Sequence, residues 1–208
     1  METSQVTLNP WFSMWTRPRA TIQQIVTSDP FHLVLLLSAV SGFLHALDRA
    51  SMRDMGDKYD ITTIIAIAAI SGPIGGIIGL YLGGALLRWV GNWMGGTGSS
   101  ETIRAAIAWS SVPVIWAGLL WIPAIAMFGD VLFTSDTSSL DGDLGLAVAL
   151  LGYGLIEVVI GIWAIVVFLK CLGQVQGFSA WMALANSIVA MLVVAVPIVM
   201  VVLLFTSM

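Results

Sequence analysis

Residues 61–87 read ITTIIAIAAISGPIGGIIGLYLGGALL, a stretch without a single charged side chain. A helix needs roughly 20 consecutive, mostly apolar residues to cross the hydrocarbon core of a bilayer. This segment is long enough, and four more apolar segments lie around it. Residues 31–47 precede it, and residues 103–128, 144–172 and 181–205 follow, each set off by a polar joint. Segment 31–47 is at the lower limit of a span and the others clear it. The pattern predicts an all-α bundle of five transmembrane helices, preceded by an arm over residues 1–30.

Composition agrees. Hydrophobic residues make up 58% and charged residues 10% of the 208, against about 25% charged in a soluble domain. No stretch outside the spans is long enough to build a soluble core. There is no basic patch, so a nucleic-acid partner is not expected. The single cysteine, Cys171, has no partner for an internal disulfide; it reads as an inert thiol, or as a lipidation site near a membrane edge.

Residues 1–30 hold no apolar core of a secretory signal, so the first span is expected to insert uncleaved. Orientation follows the lysines and arginines. With the N-terminus in the cytoplasm, Arg17, Arg19, Arg88, Arg104 and Lys170 fall inside and Arg49, Arg53 and Lys58 outside. The joint 129–143 carries Asp130, Asp136, Asp141 and Asp143 and no basic residue, which suits the outside. The expectation is a multi-pass protein of the cell membrane, N-terminus cytoplasmic and C-terminus outside. Trp89, Trp93 and Trp181 fall at predicted span ends, where the indole favours the headgroup zone.

The arm reads Asn9-Pro10-Trp11-Phe12-Ser13-Met14-Trp15-Thr16-Arg17-Pro18-Arg19. Thr16 can cap a short helix with Pro18 in its first turn. Ile22, Ile25 and Val26 then share one face, and Asp29-Pro30 ends the helix. Aromatics, arginines and one apolar stripe predict a helix in the interface plane. Trp11, Trp15, Arg17 and Arg19 are its candidate docking residues, for a partner or anionic lipid, with simple anchoring as the plainer reading.

In the second span Gly72 and Gly76 are four apart, as are Gly75, Gly79 and Gly83. That spacing stacks small residues into ridges where another helix can approach closely, within the chain or across a homo-oligomer. Ser71-Gly72-Pro73 lies mid-span. Proline removes a backbone donor and crowds the preceding turn, so a kink or break is expected there. Pro113, with Ser110 and Ser111 before it, and Pro123 interrupt the third span in the same way. Broken helices at membrane depth build sites in many transporters, though they also occur without transport.

These residues resemble a known family. Ser71-Gly72-Pro73 is followed by a glycine-rich turn, Gly95-Gly96-Thr97-Gly98-Ser99. A span then opens Glu101-Thr102-Ile103-Arg104-Ala105-Ala106 and leads to Trp109-Ser110-Ser111-Val112-Pro113. The combination resembles the Yip domain family, Rab-interacting membrane proteins in eukaryotes with many bacterial members, and the arm looks like the opening of bacterial members. The resemblance covers residues 9–205 and makes 31–208 a Yip-like domain. It implies a five-span fold, association with other membrane proteins and no known catalysis. Ala69 and Ile70 stand where eukaryotic members carry Asp-Leu before x-Gly-Pro, Ala108-Trp109 stands for Gly-Tyr, and residues 1–30 precede the first span where eukaryotic members carry a long cytoplasmic region. Rab binding is therefore not implied.

Glu157 is the one acidic residue deep in a span. A charge at the bilayer centre costs roughly 2.5–3.5 kcal/mol on insertion scales, so Glu157 should face the bundle. Tyr153 lies one turn before it, and Asn186 and Tyr81 are candidate partners on other spans. Its functional reading is a carboxyl coupled to protons or cations; its structural reading is a protonated side chain in one interhelical hydrogen bond. His45 and Asp48 share a helix face near the end of the first span. They are a weak metal candidate, since two ligands are too few for a structural zinc, and otherwise an interfacial polar pair. Catalytic and phosphate-loop motifs are missing, so neither catalysis nor a cofactor is expected. Two readings remain: a non-enzymatic membrane protein that organises other membrane components, as a homo-oligomer in the lipid bilayer; or a channel or transporter using Pro73, Pro113 and Glu157.

Overall fold

A computed structural model of the chain describes residues 7–136 and 143–206; Asp141 of the acidic joint lies outside them. Two short helices form the arm, α1 (Pro10–Thr16) and α2 (Pro18–Ser28). Then come α3 (Val34–Met52), α4 (Ile61–Trp93), α5 (Ser100–Ser110), α6 (Val112–Ala117), α7 (Trp121–Phe128), α8 (Leu144–Gln176) and α9 (Ala180–Thr206). Among the described residues there is no strand. Five runs are long and apolar enough to cross a membrane: α3, α4, the broken run Ser100–Phe133, α8 and α9. The protein is a multi-pass, all-helical membrane protein.

Local chemistry sets the helix ends. Asp60 accepts from Thr63 N at 3.1 Å to start α4, Ser99 accepts from Thr102 N at 3.3 Å to start α5, and Asp143 accepts from Leu146 N at 3.0 Å to start α8. Each side chain satisfies a donor that the first helical turn leaves free. Gly177, at φ +75°, ends α8 in the left-handed conformation glycine adopts readily.

Three expectations need correction. The first span starts at Val34, not Phe31, because Asp29-Pro30 ends α2 and a turn through Leu33, at φ +54°, redirects the chain. Of the kink or break expected at Pro73, the break does not occur: α4 continues through Pro73, since away from water the freed backbone groups gain nothing by unwinding. The break comes in the third span at Ser111, with Pro113 in the first turn of α6. There Ser110 Oγ donates to Ile107 O at 2.8 Å and Ser111 Oγ to Ala108 O at 2.6 Å, serving carbonyls at the end of α5.

The arm is the third correction. Thr16 caps nothing: α1 ends at Thr16, Arg17 is the joint, and Pro18 opens α2. The two helices fold against one another and press Met14, Thr21, Ile22 and Ile25 into the bundle, all buried. Met14, Ile22 and Ile25 join Leu80, Trp109, Val112, Val167 and Cys171 in one apolar cluster. Lipid and protein interior both accept an apolar stripe, and here the stripe meets protein. On the far side of the bundle a second cluster gathers Leu44, Leu47, Ile64, Trp121, Phe128 and Phe133. A third joins α9 through Ala183 and Ala190 to Leu87, Val90 and Leu172.

The loops on that far side are knotted together. Asp57 accepts from Thr134 Oγ1, from Ser135 Oγ at 2.7 Å and from Ser135 N at 3.1 Å. These bonds hold its carboxyl below the ordinary value, those from the Thr134 and Ser135 side chains most. A carboxylate depressed on folding stabilises fully above its unfolded value, about 3.9, and loses that contribution as pH falls through the lower folded value. Protection of the Ser135 amide from hydrogen exchange should therefore hold from neutral pH to about pH 4 and fade below it. Asp57→Asn should lower that protection at neutral pH and abolish the acid fade; an unchanged profile would mean the knot does not hold the loops.

Candidate functional site

Two glycine ridges run along α4, and they meet different fates. Gly72 and Gly76 pack on α3. A Cβ added at Gly42 would meet Gly76 Cα at 2.8 Å and Gly76 N at 2.9 Å, and one at Gly72 would meet Phe43 Cα at 2.6 Å. Backbone touches backbone here, so α3 and α4 are one welded hairpin. The second ridge is open: a Cβ at Gly75, Gly79 or Gly83 would meet nothing within 4 Å. Ile74, Ile78 and Leu82 beside it are exposed. Sequence spacing found both ridges but missed the partner of the first. Its signal was present on α3, where Ser38, Gly42, Ala46 and Ala50 repeat every four residues.

Beside these ridges lie two open cavities. One, of about 250 Å³, is bounded by Ser38, Ser41, His45, Gly79 and Ser111. The Ser38 hydroxyl is buried and lacks a hydrogen-bond partner. The other, of about 240 Å³, runs between Arg49 on α3 with Arg53 just past its end and Ile67, Ser71 and Gly75 on α4. Neither reaches Glu157.

Glu157 is half-buried on α8, one turn from Tyr153. Tyr153 packs edge-on to Trp121 at 6.3 Å. The two polar groups interact and lie within electrostatic reach of Asp48. Yet Tyr153 Oη and Glu157 Oε1 are buried without a hydrogen bond of ordinary geometry. The partners expected from the sequence are engaged elsewhere. Tyr81 carries the Arg104 guanidinium over its ring at 4.8 Å, and Asn186 Nδ2 donates to Leu87 O at 3.2 Å. His45 Nδ1 and Asp48 Oδ2 pair at 3.5 Å, and among the described residues no third metal-ligating side chain joins them.

Gln176, which sequence reading overlooked, shares the Leu87 carbonyl with Asn186, donating from Nε2 at 3.3 Å. Its amide fills a cradle of glycines: a Cβ on Gly91 or Gly96 would collide with it. The glycine-rich turn 95–99 thus seats a buried amide and closes α4 onto α8. A polar side chain just before Gly177, facing several glycines, was the available clue.

Of the arm residues singled out for docking, Trp11 and Trp15 are partly buried and Arg17 and Arg19 are exposed. Trp11 meets Trp109 edge-on at 5.8 Å, and its carbonyl accepts from Trp116 Nε1 at 3.3 Å. The Trp15 carbonyl accepts from Trp163 Nε1 at 3.1 Å. Arg19, exposed like Arg17, donates to Phe178 O at 3.4 Å. Beneath the arm, Cys171 Sγ lies 3.5 Å from Met14 Sδ and is fully buried, which removes the lipidation reading.

A family model described as the Yip1 domain matches residues 12–204. No curated protein matches the chain, and no solved structure does.

Proposed function

The chain belongs to the Yip1 domain family, and from that premise we propose a non-enzymatic membrane protein that organises other membrane components by helix–helix association, starting with copies of itself. One observation carries the reading. The ridge Gly75, Gly79, Gly83 has the same spacing of four as the ridge that welds α4 to α3, yet nothing in the chain lies within 4 Å of a Cβ placed on it. In lipid, apolar surface alone drives no association, and close backbone approach along small residues does. Gly79 and Gly83 of the open ridge are the face for a partner helix. The arm, docked through Met14, Ile22 and Ile25, braces the bundle and leaves Arg17 and Arg19 outward. The N-terminus faces the cytoplasm of a cell whose plasma membrane holds the protein.

Cysteine cross-linking in membranes tests this. Single cysteines at Ile78 or Leu82, in a Cys171→Ala background, should give cross-linked dimers, and cysteines at Ile156 or Val159 on α8 should not. Adding Gly79→Leu should abolish the dimers. Cross-links at α8 alone, or none at α4, would contradict the reading.

Ion coupling at Glu157 is a second reading, favoured by the unsatisfied Glu157 and Tyr153 oxygens. It demands a polar path to Glu157, whereas the two cavities beside α4 pass it by. Proteoliposomes of purified protein should show no ion or proton flux, in wild type or Glu157→Gln. Flux that falls in the variant with folding intact would put transport first.

A further inference from the structure

We propose that the groove between α3 and α4 that starts at Arg53 and ends at Gly75 is a binding site for an anionic phospholipid. The lipid belongs to the leaflet that meets the α3–α4 turn. This goes beyond association at Gly79 and Gly83, which lie further along α4.

The groove has a charged end and an apolar body. Arg49 and Arg53 line one end, and Ile64, Ile67, Ser71 and Gly75 continue it along α4. Both arginines are exposed. Among the described residues the ion pairs are His45–Asp48 and Glu101–Arg104, and neither arginine takes part. Arg49 Nε donates to the His45 carbonyl at 3.1 Å. A guanidinium presents five donors in a planar fork, so donors remain for an incoming phosphate. Asp48, its acidic neighbour on α3, is paired with His45.

The dimensions fit a lipid. At 1.5 Å rise per residue, the path from Ile64 to Gly75 is roughly 16 Å, about one leaflet of the roughly 30 Å hydrocarbon core. The arginines stand at the headgroup end of that path, near the end of α3, and the glycine at the depth an acyl chain reaches. Gly75 carries no side chain to block the trough, and nothing stands within 4 Å of its Cβ position. The charge is also misplaced for solvation alone. The surrounding loops are acidic, with Asp54, Asp57, Asp60 and Asp130, and both arginines still face one groove. A phosphate between Arg49 and Arg53, with a chain over Ile67 to Gly75, accounts for both.

Native mass spectrometry of the full chain in detergent tests the proposal. Phosphatidylglycerol and phosphatidylcholine of identical acyl chains serve as probes. Wild type should retain phosphatidylglycerol in preference, and the preference should shrink as salt rises, since exposed charges are screened. One basic residue near an anionic lipid surface contributes roughly fivefold, so Arg49→Gln with Arg53→Gln should cut retention on the order of 25-fold. Arg49→Lys with Arg53→Lys should keep most of it, and Lys58→Gln, which removes a charge outside the groove, should change nothing. Equal retention of the two lipids by wild type would overturn the proposal even if the double glutamine variant did not fold. So would a preference that survives the loss of both arginines. A change in subunit number without a change in lipid retention would assign the groove to a second copy, and would also overturn it.

Discussion

Gly42→Leu should leave no folded protein, and Gly42→Ala should already destabilise it strongly. The Cβ of an alanine there would meet backbone atoms of Gly72 and Gly76 rather than a side chain that can turn away. Over-packing a tight interior costs typically about 1–3 kcal/mol, and a backbone obstacle places this site at the upper end of that range. The control is Gly79→Ala, with nothing within 4 Å of the added carbon. In dilute detergent, where only the single chain is tested, it should fall within about 0.5 kcal/mol of wild type. Thermal unfolding followed by circular dichroism separates the two. Equal melting of Gly42→Ala and Gly79→Ala would mean that the α3–α4 weld does not carry the fold.

Trp109→Ala should release the arm. Trp109 is buried, donates to His32 O at 3.0 Å, and takes the edge of Trp11 at 5.8 Å. Truncating a buried tryptophan to alanine costs about 3–5 kcal/mol, and the loss falls where α1 and α2 are held. The reporter is built in: Cys171 lies under the arm against Met14. Its thiol should resist maleimide in wild type and react in Trp109→Ala. Trp109→Phe keeps a ring against Trp11 and loses one hydrogen bond, worth about 0.5–1.5 kcal/mol, so its thiol should stay protected. If Cys171 reacts equally in all three proteins, the arm is not anchored through Trp109.

Much of this fold was legible because a lipid solvent writes a coarse signal. Residues 61–87 are apolar on every face, and α4 has no other structure open to it. The break at Ser111 was legible too, since Ser110, Ser111 and Pro113 offer both the interruption and the hydroxyls that satisfy it. At Pro73 the pattern allowed a kink or a break, and only the fold shows that the helix runs on. The arm misled for a related reason. The stripe Ile22, Ile25, Val26 reports an apolar environment without saying whether protein or lipid provides it. Helical spacing placed Tyr153 beside Glu157, but partners on other helices depend on the bundle's rotation, which no local pattern records. Thus Asn186 went to Leu87 and Tyr81 to Arg104. The two glycine ridges look alike in sequence, and only the fold shows that one is occupied and the other open.

That open ridge is the centre of the account. Counting subunits by photobleaching of single labelled molecules in liposomes, at high dilution in lipid, tests it most directly. Wild type should bleach in more than one step, and Gly79→Leu with Gly83→Leu in one, with unfolding temperature unchanged. Single-step bleaching of wild type, or multiple steps that survive both leucines, would contradict association through α4.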